Sequence, residues 1–215
     1  MVLGLVLYSA MAILAVLVAW LRETPLFEQP AGIDAIAGVL PSLILGVLVA
    51  ALTIGSTRVL TERTEWARAL RSEFRAVLSG ASMGDVVVLS LASGTAEELF
   101  FRGALLPWIG VTLSSLAFGL VHLGPTRRYL PWTVWAVVMG FVLGVLGWAT
   151  GSVVGPIVAH VAINAVNLRY VLAFDGALDA KISAYESGEI PTMKLVGPRK
   201  RTASGGMVQG PKRGE

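Results

Sequence analysis

"GTAEELFFRGALLP", residues 94–107, sets two adjacent carboxylates, Glu97 and Glu98, and one guanidinium, Arg102, in a run that is otherwise small or apolar. On a helix, Glu98 and Arg102 are four apart, share a face and can pair. Glu97 is turned about 100° away from Glu98 and does not share that partner. An unpaired charge at membrane depth costs about 2.5–3.5 kcal/mol on insertion scales. Such a group is either protonated or faces a watered cavity with partners of its own.

That the stretch lies in a membrane follows from what surrounds it. Of 215 residues, 55% are hydrophobic and only 14% charged, against about 25% charged in soluble domains. Cysteine is absent, which excludes disulfides, thiolate zinc sites and a cysteine nucleophile. The net charge of +3 is carried by loops and tail, so no nucleic-acid partner is expected. The first 23 residues lack a basic start and a small-residue cleavage site, and read as a retained helix.

A spanning helix takes about 20 mostly apolar residues. Six stretches qualify: 2–20, 34–55, 84–106, 109–123, 131–149 and 153–174. Trp20, Trp108, Trp132, Trp135 and Trp148 fall at or near their ends, where indole rings favour the headgroup level. The basic residues gather in 56–83, 124–130 and the tail, three regions that six spans place on one side. By the positive-inside rule both termini are expected to be cytoplasmic. In 58–79, Val59, Trp66, Leu70, Phe74 and Val77 recur at helical spacing between charges. This predicts an amphipathic helix lying on the inner leaflet. The end of the chain is rich in Gly, Pro and basic residues, and reads as a disordered tail.

The fold class expected is therefore all-α: a polytopic transmembrane bundle of about six spans plus one interfacial helix. Residues 1–83 supply two helices and the amphipathic connection, 84–174 a helical core, and 175–215 a basic tail.

The chain has two histidines, and each stands one turn from another polar or aromatic residue. "FGLVH" sets Phe118 and His122 four apart; "HVAIN" does the same for His160 and Asn164, with Asn167 following. Three spans thus carry polar groups at membrane depth: Glu97, His122, and His160 with Asn164. A glutamate and a histidine can hold and deprotonate a water. A second histidine and an asparagine can donate hydrogen bonds to the oxyanion of an attacked amide. Glu97, His122 and His160 could equally hold a zinc ion (Zn2+), a known catalytic ligand set, although HExxH is absent. The residues leave metal dependence open. The plainer readings are that Glu98 with Arg102 fixes helix packing, that Asn164 and Asn167 are interhelical glue, and that Phe118 is a cavity wall. Asp85 falls near the interface, and Ser90, Ser93 and Thr95 are ordinary membrane-helix hydroxyls.

In order, "EELFFR" (97–102), "FGLVH" (118–122) and "HVAIN" (160–164) resemble the CPBP family of intramembrane endopeptidases. This is the CAAX protease and bacteriocin-processing, or Abi, family, which includes the type II CAAX prenyl proteases. The resemblance covers 84 to about 170. It implies a protease in which Glu97 activates water, His122 holds that water, His160 and Asn164 stabilise the oxyanion, and Glu98 with Arg102 supports them. The family's site has been assigned both with and without a metal.

The function expected is hydrolysis of a peptide bond in a peptide or membrane-protein substrate. The place expected is a bacterial cytoplasmic membrane, as a multi-pass protein whose partners are that substrate and the lipid bilayer. A non-catalytic peptide-binding, immunity or accessory protein using the same cavity is the alternative. A proton path or transporter is a third reading, without the internal repeats that transporters show.

Overall fold

In the computed structural model many large apolar side chains turn outward while the central charges turn in. Val2, Leu3 and Trp20 are exposed, whereas Glu98 and Arg102 are at 0% and 1% exposure. Such an inverted arrangement suits a hydrocarbon solvent. The described residues are 2–27 and 35–173. The chain divides into two units, Met1–Phe174 and Asp175–Glu215. The tail read as disordered lies outside the described residues.

Among the described residues the structure is all-helical, as the sequence predicts. The helices are α1 (Val2–Leu21), α2 (Ala35–Arg63), α3 (Glu65–Val77), α4 (Met83–Glu98), α5 (Leu106–Val121), α6 (Leu130–Thr150) and α7 (Val154–Leu172). A π-helical segment, Leu99–Leu105, joins α4 to α5, and a 3-10 turn, Arg127–Tyr129, precedes α6. Residues 2–83 are not a body of their own: α1 packs on α4 and the π-segment, and α2 packs on α7.

Among the described residues four helical stretches are long and apolar enough to cross a membrane: Val2–Leu21, Ala37–Arg63, Met83–Val121 and Arg127–Thr150. The third is two arms, because the chain reverses at Gly110, whose φ of 78° and ψ of 170° are not helical. Ser114 Oγ donates to the Phe101 carbonyl at 2.8 Å, although thirteen residues of straight helix would separate them by about 20 Å. The reversal falls just past the break expected at 107–108. The last helix, α7, carries His160, Asn164, Asn167 and Arg169 and does not reach the same apolar threshold. Four stretches with one folded back, plus α7, reproduce the six segments of the sequence reading.

One boundary differs. The apolar run predicts an end to the second span at 55, but α2 continues to Arg63 and the amphipathic helix starts only at Glu65. Thr57, Thr61 and Thr64 each return their hydroxyl to the carbonyl four residues back, at 2.8 Å. The helical turns persist after the apolar run has stopped, with these hydroxyls turned back onto their own helix. On α3, Phe74 packs edge-on to Tyr129 and Trp132 at 5.7 and 5.2 Å, while Trp66 and Val77 stay exposed. The helix thus presents one apolar edge to the bundle and another outward.

Small residues bring the helices close enough to share polar groups. A Cβ on Gly94 of α4 would stand 2.8 Å from the Val161 nitrogen of α7. At the crossing of α2 and α7, Ser42 Oγ accepts from the Gly155 nitrogen at 2.9 Å and donates to the Ser152 carbonyl at 3.2 Å.

Candidate active site

The expected set of residues converges. α4 and its π-helical continuation bring Glu97, Glu98 and Arg102; α5 brings Phe118 and, at its C-terminal end, His122; α7 brings His160 and Asn164. The predicted pair forms as read: Arg102 Nη1 donates to Glu98 Oε1 at 2.9 Å, with both side chains buried. Arg102 Nη2 also donates to the Gly140 carbonyl at 3.0 Å. The guanidinium carbon lies 4.5 Å from the centre of the Phe118 ring. Phe118 is thus more than a wall. Its ring lies under that cation, 4.5 Å from the His122 ring and 5.9 Å from that of His160.

Glu97 is aimed elsewhere, as its 100° rotation requires. Its Oε2 lies 3.5 Å from His122 Nε2 and 3.9 Å from His160 Nε2. That oxygen is buried and accepts no hydrogen bond from the protein. An orphaned buried oxygen in a native site marks a place where something else is held.

Both histidine rings are oriented from behind. His122 Nδ1 is 2.7 Å from the Phe118 carbonyl. A carbonyl only accepts, so Nδ1 carries the proton and a neutral ring keeps the Nε2 lone pair free. The His122 carbonyl in turn accepts from Thr133 Oγ1 at 2.9 Å, and Trp132 lies edge-on to the imidazole at 5.0 Å. His160 Nδ1 is 2.7 Å from Glu98 Oε1. Glu98 therefore does more than neutralise Arg102: it also fixes the ring expected to serve the oxyanion. Spacing cannot show this, because 62 residues separate the two.

Asn164 Nδ2 donates to Ser93 Oγ at 2.9 Å. The sequence marks Ser93 only as an ordinary helix hydroxyl, yet it stands four before Glu97 and so on the same face of α4. That spacing is the signal that points to it. Tyr8 of α1 interacts with the Ser93 hydroxyl and with the Glu97 charge, a placement nothing in the sequence announces. Ser90 is spent on its own helix, donating to the Val86 carbonyl at 2.7 Å. Asp85 belongs to a reciprocal cap with Ser82 at the start of α4, away from the site. Asn167 has its Oδ1 buried without a hydrogen bond. Thr95 is half-buried on α4.

The donors Glu97 Oε2, His122 Nε2 and His160 Nε2 are of the kinds zinc takes. Among the described residues, however, no three His, Asp or Glu side chains gather into a group able to hold a metal ion. The orphaned Glu97 oxygen with the two Nε2 atoms beside it also suits a water, which needs two to four polar partners.

Residues 79–166 match the family model described as type II CAAX prenyl endopeptidase Rce1-like. The chain is also 36% identical over 93 residues to an uncharacterized protein, YpbD, of Bacillus subtilis (strain 168). That alignment covers 42% of this chain and 47% of the relative, so the chain spans about half the length of the curated protein it matches. No solved structure matches it. The matched segment contains every side chain of the converged set except Tyr8. Residues 79–166 are thus similar to type II CAAX prenyl endopeptidases of the Rce1-like kind, and they lie in an all-helical chain with helices long and apolar enough to cross a membrane several times.

Proposed function

We propose that the chain is a membrane-embedded endopeptidase that cleaves a peptide or membrane-protein substrate with a water activated by Glu97. The observation that carries this reading is the buried, unpartnered Glu97 Oε2, 3.5 Å from His122 Nε2. A water seated against both atoms donates one hydrogen to the free lone pair of His122 and the other to Glu97. His122, held by Nδ1 on Phe118, orients the water; Glu97 takes its proton as the oxygen attacks the scissile carbonyl. His160 and Asn164 face the oxygen on which charge then develops. Because Nδ1 of His160 donates to Glu98, Nε2 donates only from the imidazolium form. Glu97, Glu98, Arg102 and a protonated His160 then sum to zero charge, which a low-dielectric site favours. Collapse of the intermediate passes the proton from Glu97 to the departing amine, so every proton is accounted for. The basic residues of 56–83 and 124–130 favour a cytoplasmic membrane with both termini inside.

The test is cleavage of a quenched peptide library with varied C-termini, by the full chain in nanodiscs. Turnover present in wild type and lost in Glu97→Gln and His122→Ala, with peptide affinity retained, supports the reading. Peptide binding without fragments in wild type would instead make the chain a binding protein that uses the same cavity.

A further inference from the structure

Away from the active site, two arginines share one aromatic ring at the junction of α2, α3 and α7. The guanidinium carbons of Arg58 and Arg71 lie 3.5 and 3.8 Å from the centre of the Tyr170 ring. Two positive groups are thereby fixed at most about 7 Å apart, inside one Debye length of each other. Each is also tied to the end of α7. Arg58 Nη2 donates to the Val166 carbonyl at 3.2 Å, and Arg71 Nη2 to the Tyr170 carbonyl at 3.1 Å. The Tyr170 carbonyl lies in the last turn of α7, at its negative pole, and Val166 lies one turn earlier; the two bonds orient both guanidinium groups. Arg58 Nη1 is buried and donates to nothing in the protein. Among the described residues no ion pair joins a carboxylate to Arg58.

Depth adds a second constraint. Arg58 lies five residues before the end of α2, and Tyr170 two before the end of α7. Both are just past the apolar body of their helices, where phosphate headgroups lie. The amphipathic helix α3 supplies Arg71 and keeps Trp66 exposed for the same interface. A guanidinium with an unused N–H edge, as Arg58 has, is built for a phosphate, which accepts from two donors at once.

We propose that Arg58 and Arg71, braced by Tyr170, form a binding site for a phosphate anion at the membrane surface, whose natural source is the headgroup of an anionic lipid. The site is separate from the residues that cleave peptides, and it stands whether or not the protease reading does.

The test uses the full chain in nanodiscs of phosphatidylcholine, with or without phosphatidylglycerol, and native mass spectrometry to count retained lipids. Wild type is expected to retain the anionic lipid about thirtyfold over the neutral one, from two surface cations. Arg58→Gln/Arg71→Gln is expected to lose that preference. Arg58→Lys/Arg71→Lys keeps the charge and is expected to retain part of it, which guards against a folding defect. Thermal melting in neutral discs checks that all variants are folded. A parallel titration with inorganic phosphate at fixed ionic strength reads the other source. Saturation in neutral discs, lost in the glutamine variant, would make free phosphate the ligand of the same site. Equal retention of both lipids by wild type with no phosphate saturation, or an unchanged preference in the glutamine variant, would overturn the proposal.

Discussion

Removing either member of the Glu98–Arg102 pair should cost more than removing both. The two groups are 2.9 Å apart at 0% and 1% exposure. In Glu98→Gln the Arg102 guanidinium keeps the Gly140 carbonyl and the Phe118 face but loses its neighbouring anion. A buried charge stripped of its partner costs about 3–5 kcal/mol. Arg102→Met leaves Glu98 with His160 as its hydrogen-bond donor, and the same range applies. The double variant Glu98→Gln/Arg102→Met removes both charges of the pair together. The new amide oxygen can still accept from His160, and the methionine fills the volume of the arginine stem. Its stability should therefore be no worse than that of either single variant, whereas additive effects would predict about 6–10 kcal/mol. At roughly 2–4 °C per kcal/mol for a chain of this size, each single variant should melt on the order of 10 °C below wild type. The six tryptophans make intrinsic fluorescence in nanodiscs a direct readout. A double variant that melts at the sum of the two single losses would refute the charge-pair reasoning and assign the cost to packing alone.

Two glycines with equally open surroundings should respond with opposite signs. Gly110 has φ +78° and ψ 170°, and a Cβ added there would meet no atom within 4 Å. Gly110→Ala should therefore cost about 1–3 kcal/mol from backbone strain alone. Gly55, inside α2 and equally open, should gain roughly 0.5–1 kcal/mol on replacement by Ala. Thermal melts of the pair check both. Chelation separates the two readings of Glu97, His122 and His160: cleavage that survives exhaustive chelation leaves Glu97 and His122 to activate the water unaided. Loss on chelation with rescue by zinc would mean that Glu97, His122 and His160 close on an ion.

Much of the site is legible from helix geometry before any coordinates are known. A spacing of four residues fixes a shared face, so the Glu98–Arg102 pair, the Phe118–His122 pair and the separate aim of Glu97 can all be read along the chain. The lengths of the apolar runs mark out the helices. The extension of α2 to Arg63 escapes such a reading because residues 56–63 no longer form an apolar run yet stay helical. The π-helical turn at Leu99–Leu105 escapes it because spacing arguments take 3.6 residues per turn throughout. Which partner each polar group meets across helices is a matter of tertiary packing. His160 goes to Glu98, Asn164 to Ser93, and Arg102 to the Gly140 carbonyl, over 38 to 71 residues of chain. These meetings depend on how closely helices approach one another. That approach is set by contacts such as Gly94 against Val161 and Ser42 against Gly155, which follow from the joint packing of all the helices and from no local rule.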